Sequence, residues 1–205
     1  MGEQAVPEVD LGFIISAGSS AADSNMKQVK DVIKSFIAKY AMHRLQYGII
    51  SFGSTPKIEL KIAESSKPDA MKRVNAIGLP RGKPDLSRAI ELGKNLLIPG
   101  RLKAEKVLVI ITDVKSGSSL IKVKLTTESL DKEDIRVFAV SLGNEGDSAE
   151  LETATGSEKN VVNASSTDNP GRIREEIMDK IRQGNLRRVV RLSSPVTHQQ
   201  SFCYI

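Results

Sequence analysis

The chain is poor in the residues that most often announce a chemistry. Its 205 residues include no tryptophan, one cysteine and two histidines, and aromatic side chains make up 4% of the total. The single Cys203 excludes an internal disulfide. Few aromatics, with no interleaving of aromatic and basic residues, leave no platform for stacked bases, so nucleic acid is not an expected partner. His43 and His198 have no neighbours at metal-ligand spacing, and no Ser/His/Asp set can be assembled around them. The glycine and serine loop at 18–20 lacks both nucleotide patterns, G-x-x-x-x-G-K-[ST] and G-x-G-x-x-G. Enzymatic activity is therefore not expected. The longest unbroken apolar run, Val107–Ile111, is far short of the ~20 residues of a spanning helix, which argues against membrane insertion. No basic stretch followed by a long apolar one opens the chain, so no signal peptide is visible. That and the lone cysteine fit a cytoplasmic protein, or a secreted module that uses no disulfide.

Charge is nearly balanced, at +5 from 30 Lys and Arg against 25 Asp and Glu. Arg187, Arg188 and Arg191 carry +3 within residues 184–205, a segment with no acid, and leave little for the body. Such a body does not resemble a binder of phosphate backbones, whose basic residues cluster on one face. Residues 1–6 read as an extension, 7–183 as one domain, and 184–205, without period or strong caps, as a flexible basic tail.

Within 7–183 the rhythm alternates. Val9–Ser16 is a short apolar run that reads as a buried strand, and Met26, Val29, Val32, Ile33, Phe36, Ile37 and Tyr40 follow at helical spacing behind the capping residues Asp23, Ser24 and Asn25. Leu45–Phe52 is a second strand. Lys57–Ile62 then alternates strictly, with Ile58, Leu60 and Ile62 on one side and Lys57, Glu59 and Lys61 on the other, the pattern of an antiparallel edge strand guarded by lysine. Helices over Pro68–Ile77, Asp85–Leu97, Ser118–Asp131, Ala149–Thr155 and Pro170–Gln183 alternate with strands over Lys106–Asp113, Ile135–Leu142 and Asn160–Ala164. The fold class is α/β: a doubly wound, mostly parallel six-stranded sheet with one antiparallel edge strand and helices on both faces. In such a sheet ligands bind beyond the carboxyl ends of the strands, where the strand order reverses. The candidate rim is Ser16, Ala17, Gly18, Ser19 and Ser20 after the first strand, Gly82, Lys83, Pro84 and Asp85 before a helix, and Asp113, Lys115 and Ser116 after the central strand.

The blocks VDLGFIISAGSS, LQYGIISFGSTPKIEL, KPDLSRAIELGKNLL, KVLVIITDVKSG and IRVFAVSLG, in this order, resemble a von Willebrand factor type A domain of the integrin I-domain, matrilin and collagen VI kind. The resemblance implies a metal-ion-dependent adhesion site for Mg²⁺ or Mn²⁺, built from an Asp-x-Ser-x-Ser loop, a Thr and a second Asp. Carried over singly, these positions fall on Ser16, Gly18, Ser20, Pro84 and Asp113, so only Ser20 and Asp113 match. One carboxylate and one hydroxyl leave an octahedral hard cation mostly to water. No cofactor is expected, and at most weak Mg²⁺ or Mn²⁺ binding. Asp85 stands one place after Pro84, but its position before a helix reads as a cap.

The resemblance further implies a non-catalytic, protein-binding adhesion module of an extracellular matrix or cell-adhesion protein. Its partner would be a protein, such as a matrix collagen, met through the rim without a metal. The alternatives are a metal-dependent domain whose ligands are rearranged through Asp85 and Ser16, and an intracellular scaffold. In the family, metal coordination is linked to a shift of the last helix, and a metal-free site removes that drive. Asn163-Ala164-Ser165 is the one N-glycosylation sequon, of consequence only on the secretory route.

Overall fold

The computed structural model describes residues 8–16, 22–62, 66–143, 148–165 and 167–193. Their elements run β1 (Val9–Ser16), α1 (Ala22–Lys39), β2 (Leu45–Ser51), β3 (Lys57–Leu60), α2 (Lys67–Ala76), α3 (Leu86–Leu97), β4 (Glu105–Thr112), α4 (Leu120–Asp131), β5 (Ile135–Leu142), α5 (Ser148–Thr155), β6 (Val161–Ala164) and α6 (Pro170–Ser193). The sheet order is β3-β2-β1-β4-β5-β6. All neighbours are parallel except β2 and β3, which form the antiparallel edge pair.

Side-chain alternation along the strands divides the core. Leu11, Phe13 and Ile15 of β1 and Val107, Val109 and Ile111 of β4 face α1, α2 and α6. Ile14, Leu108 and Ile110 face α3, α4 and α5. The α1 stripe is buried as its spacing demands, with Phe36 edge-on to Phe13 at 5.3 Å between ring centres. On the other face α3 approaches the sheet closely because Gly93 carries no side chain: a Cβ there would lie 2.8 Å from Leu108 Cδ1. The α3 positions Leu86, Ile90, Gly93 and Leu97 are all buried.

The base of the sheet is clamped by an ion pair between a buried carboxylate and a half-buried guanidinium. Asp10 is fully buried, and its carboxylate accepts from the Arg101 backbone N–H at 2.6 Å and from Arg101 Nε at 2.8 Å. The same guanidinium donates to the carbonyls of Val9, His43 and Arg44, tying β1 to the turn before β2.

Several boundaries differ from the sequence reading. Helix α1 begins at Ala22, so Asp23, Ser24 and Asn25 lie inside its first turn rather than before it. Strand β3 ends at Leu60, short of Ile62, and its pairing with β2 is interrupted by a register shift between Ile49 and Ile50. Helix α6 does not stop at Gln183 but stays helical to Ser193. Leucine and arginine are good helix formers, and the single Gly184 costs only about 1 kcal/mol, too little to end a helix already nucleated on a packed face.

Candidate functional site

The strand order reverses between β1 and β4, and their register sets Ser16 beside Thr112 at the carboxyl ends. The chain leaves β4 at Asp113, so this carboxylate stands at the switch point of the sheet. Ser16 and Asp113 are each 1% exposed. Asn25, from the first turn of α1, donates its Nδ2–H to Asp113 Oδ2 at 2.8 Å. The loop beyond β4 is braced by Thr112, whose hydroxyl donates to the Val114 carbonyl and accepts from the Val114 N–H.

Two rim loops are knitted into one unit. The Gly117 N–H donates to the Pro84 carbonyl at 2.6 Å, and the Asp85 N–H to the Gly53 carbonyl at 3.1 Å. Asp85 caps α3 by accepting from the Arg88 N–H. Its Oδ1 also accepts from the hydroxyls of Ser87 at 2.8 Å and Ser118 at 2.9 Å. Partial burial works against the charged form of Asp85, but the donors Ser87, Arg88 and Ser118 outweigh it and hold the carboxyl below its ordinary value. Gly82, at φ 77°, makes the left-handed turn that delivers Lys83 and Pro84 to the rim. The Lys83 side chain lies across Gly117, where a Cβ would fall 2.7 Å from Lys83 Cε.

A second carboxylate lies behind the rim. Glu150, in the first turn of α5 and 3% exposed, accepts from the Ser116 N–H at 3.0 Å and from the Ser116 hydroxyl. Ser118 N–H in turn donates to Ser116 Oγ. Ser116 therefore points inward, whereas Gly82, Lys83 and Lys115 are exposed and Pro84 and Asp85 half-buried. Ala17, Gly18, Ser19 and Ser20 lie outside the described residues. Asn163 is exposed on β6, the last strand of the sheet, on the register row that runs from Ser16 through Thr112 and Ser141.

The sequence pointed to Asp85 as a cap and to Asp113 as the switch-point carboxylate, but it missed Asn25, Ser118 and Glu150. Asn25 reads as a helix cap because its partner is 88 residues away. Glu150 carried a usable signal, a carboxylate beside Leu151 on the stripe that buries Ala154. Among the described residues, no three His, Cys, Asp or Glu side chains come together in a way that would hold a metal ion.

A doubly wound sheet of this order, with a hydrogen-bonded rim at its switch point, defines an α/β domain with its candidate site at the carboxyl ends of the strands. The model of the von Willebrand factor type A domain family matches residues 10–178, and the chain belongs to that family. The mouse collagen alpha-4(VI) chain is 25% identical over 149 residues, covering 67% of this chain and 6% of the collagen. The mouse collagen alpha-1(XX) chain is 27% identical over 149 residues, covering 69% of this chain and 11% of the collagen. The chain thus spans a small part of the length of these relatives. Among solved structures, proximal thread matrix protein 1 from the mussel byssus superposes with a TM-score of 0.74 at 20% identity, over 85% of this chain and 46% of that one. Manganese-loaded TRAP protein of Plasmodium vivax gives 0.68 at 16% identity, over 83% and 73%. These two likenesses are likenesses of fold.

Proposed function

We propose that this domain is a non-catalytic adhesion module of an extracellular matrix or cell-adhesion protein, and that its rim binds a protein partner with no resident divalent cation. The observation that carries the reading is the engagement of the rim carboxylates by the protein itself. Asp113 accepts from Asn25, and Asp85 from Ser87, Ser118 and the Arg88 N–H. Pro84 stands where the family uses a threonine and offers neither a hydroxyl nor an N–H. A hard cation needs about six oxygen ligands with several charges among them, and this donor set does not fit one.

The positive charge of the rim comes instead from Lys83 and Lys115, both exposed. A partner carboxylate meeting the Lys83 ammonium replaces the carboxylate–metal bond of a cation-dependent site. The contact surface in this reading comprises Gly82–Asp85 and Lys115 with the loop at 17–20, while Ser16, Asp113 and Ser116, which the sequence placed on the rim, are buried beneath it. Kinship with collagen chains makes matrix proteins the first partners to try.

Thermal unfolding in Mg²⁺ or Mn²⁺ and in EDTA tests the metal-free part. A ligand at 100 times its dissociation constant adds about 2.7 kcal/mol, which for a domain of this size moves the midpoint by roughly 5–10 °C. No shift at millimolar metal is the expected result. A shift that Asp113→Ala abolishes would overturn the reading. Solid-phase binding to fibrillar collagen should be equal in Mg²⁺ and EDTA and fall with Lys83→Glu.

A further inference from the structure

We propose that Asn163 carries an N-linked glycan that closes the open β6 edge of the sheet; the proposal rests on the reading of the domain as secreted. Among the described residues the two edges of the sheet are β3 and β6, and they are protected unequally. An unpaired edge presents backbone N–H and C=O groups to any passing strand, and charged side chains are the usual deterrent. Strand β3 has that deterrent, with Lys57 exposed within it and Lys61 exposed just past it. Strand β6 reads Val-Val-Asn-Ala and contains no charge at all.

Asn163 is the exposed residue of that strand, between the buried Val162 and Ala164. Side chains alternate across a strand, so Val162 and Ala164 enter the core under α1 and α6 while Asn163 stands on the α5 side. Helix α5 is only 8 residues long, and Asn163 remains exposed beside it. The sequon is completed by Ser165, also exposed, whose hydroxyl shares a hydrogen bond with Thr167 at 2.9 Å. A bulky, hydrated substituent on Asn163 therefore displaces no packed side chain, and it would occupy the space an incoming strand needs.

The transfer balances with one co-reactant, an oligosaccharide linked to a lipid pyrophosphate. A bond forms between Asn163 Nδ2 and the anomeric carbon of the first sugar, and the bond from that carbon to the pyrophosphate oxygen breaks. The amide nitrogen loses one proton, and the lipid pyrophosphate leaves with the electron pair.

The test is to send the full chain through the secretory pathway of a eukaryotic cell behind an added signal peptide, and to analyse medium and cell-associated protein together. Treatment with a peptide N-glycosidase should produce one discrete downward mobility shift, with conversion of Asn163 to aspartate in the peptide map. Asn163→Gln should abolish the shift, and so should Ser165→Ala, which leaves the asparagine in place. Light scattering then reads the edge. Asn163→Gln should self-associate several-fold more than the glycosylated chain, and Asn163→Lys, with no glycan but a charged edge, should stay monomeric. Chain in the pathway with an unmodified Asn163 would overturn the site. Equal association of the glycosylated and Asn163→Gln chains would overturn the edge role. Neither result touches the metal titration, so the reading of the rim stands or falls separately.

Discussion

Asn25 Nδ2 lies 2.8 Å from Asp113 Oδ2 and joins the first turn of α1 to the end of β4. The pair occupies the switch point of the sheet, so a neutral amide stands against the switch-point carboxylate. Asn25→Ala is expected to cost about 1–3 kcal/mol, the usual loss when a buried acceptor loses a donor. Asn25→Asp is the more telling variant. It sets two carboxylates face to face, should be less stable than wild type in EDTA, and should regain stability when Mn²⁺ is added. A wild-type midpoint unmoved by Mn²⁺ beside a rescued Asn25→Asp would show the asparagine holding the position against a cation.

At the other end of the sheet, Arg101 neutralises a carboxylate with no exposure of its own. Removing one partner of such a pair leaves an uncompensated buried charge and costs about 3–5 kcal/mol. Arg101→Ala should therefore lower the thermal midpoint by roughly 6–20 °C. Arg101→Lys should recover little, because a single ammonium cannot reproduce the fork that reaches Asp10, Val9, His43 and Arg44 together. Differential scanning calorimetry of the two variants decides whether the fork or only the charge matters.

The cap at Asp85 gives stability a pH dependence whose sign is fixed. Its folded carboxyl ionises below the ordinary value because donors from Ser87, Arg88 and Ser118 outweigh the burial that opposes the charge. The contribution is therefore present above the unfolded value of about 3.9 and is lost as pH falls through the lower folded value. Asp85→Asn keeps a capping oxygen but no charge. Wild type should exceed it in urea stability at pH 7, and the gap should close in acid. A gap that widens in acid would contradict the assignment.

Helix α6 offers a test of rigidity. Ile173, Ile177, Met178 and Ile181 are fully buried, and Gln28 Nε2 donates to the Asp168 carbonyl at 2.6 Å where the helix begins. In the proposed cation-free reading nothing favours a second position, so hydrogen exchange across residues 170–183 should be the same in Mg²⁺ and in EDTA. A loss of protection confined to this helix in Mg²⁺ would mean that the metal-linked switch survives.

How much of this was legible in the sequence depends on the range of the interaction. Asp85 was readable because capping is local: the side chain serves an N–H three residues on. The sheet was readable because short apolar runs and helical spacing alternate along the chain, and β5 falls on its expected limits, Ile135–Leu142. The partners of Asp113 and Ser116 were not, since Asn25 and Glu150 come from elements 88 and 34 residues away. The end of α6 was misjudged for a related reason. A hydrophobic period is a property of side chains, and its absence does not show that the backbone has ceased to be helical.

The course of α6 carries a last consequence. β1 enters at the base of the sheet, and the Ile181 carbonyl accepts from Arg136 at the amino end of β5, so α6 has returned to the base by that residue. The helix then continues for twelve more residues, which at 1.5 Å each is about 18 Å. The first and last described elements thus enter and leave at one pole of the domain, and the rim occupies the other. In the proposed reading a partner held at the rim approaches from the side opposite both Val9 and Ser193, so the domain is hafted like a tool head.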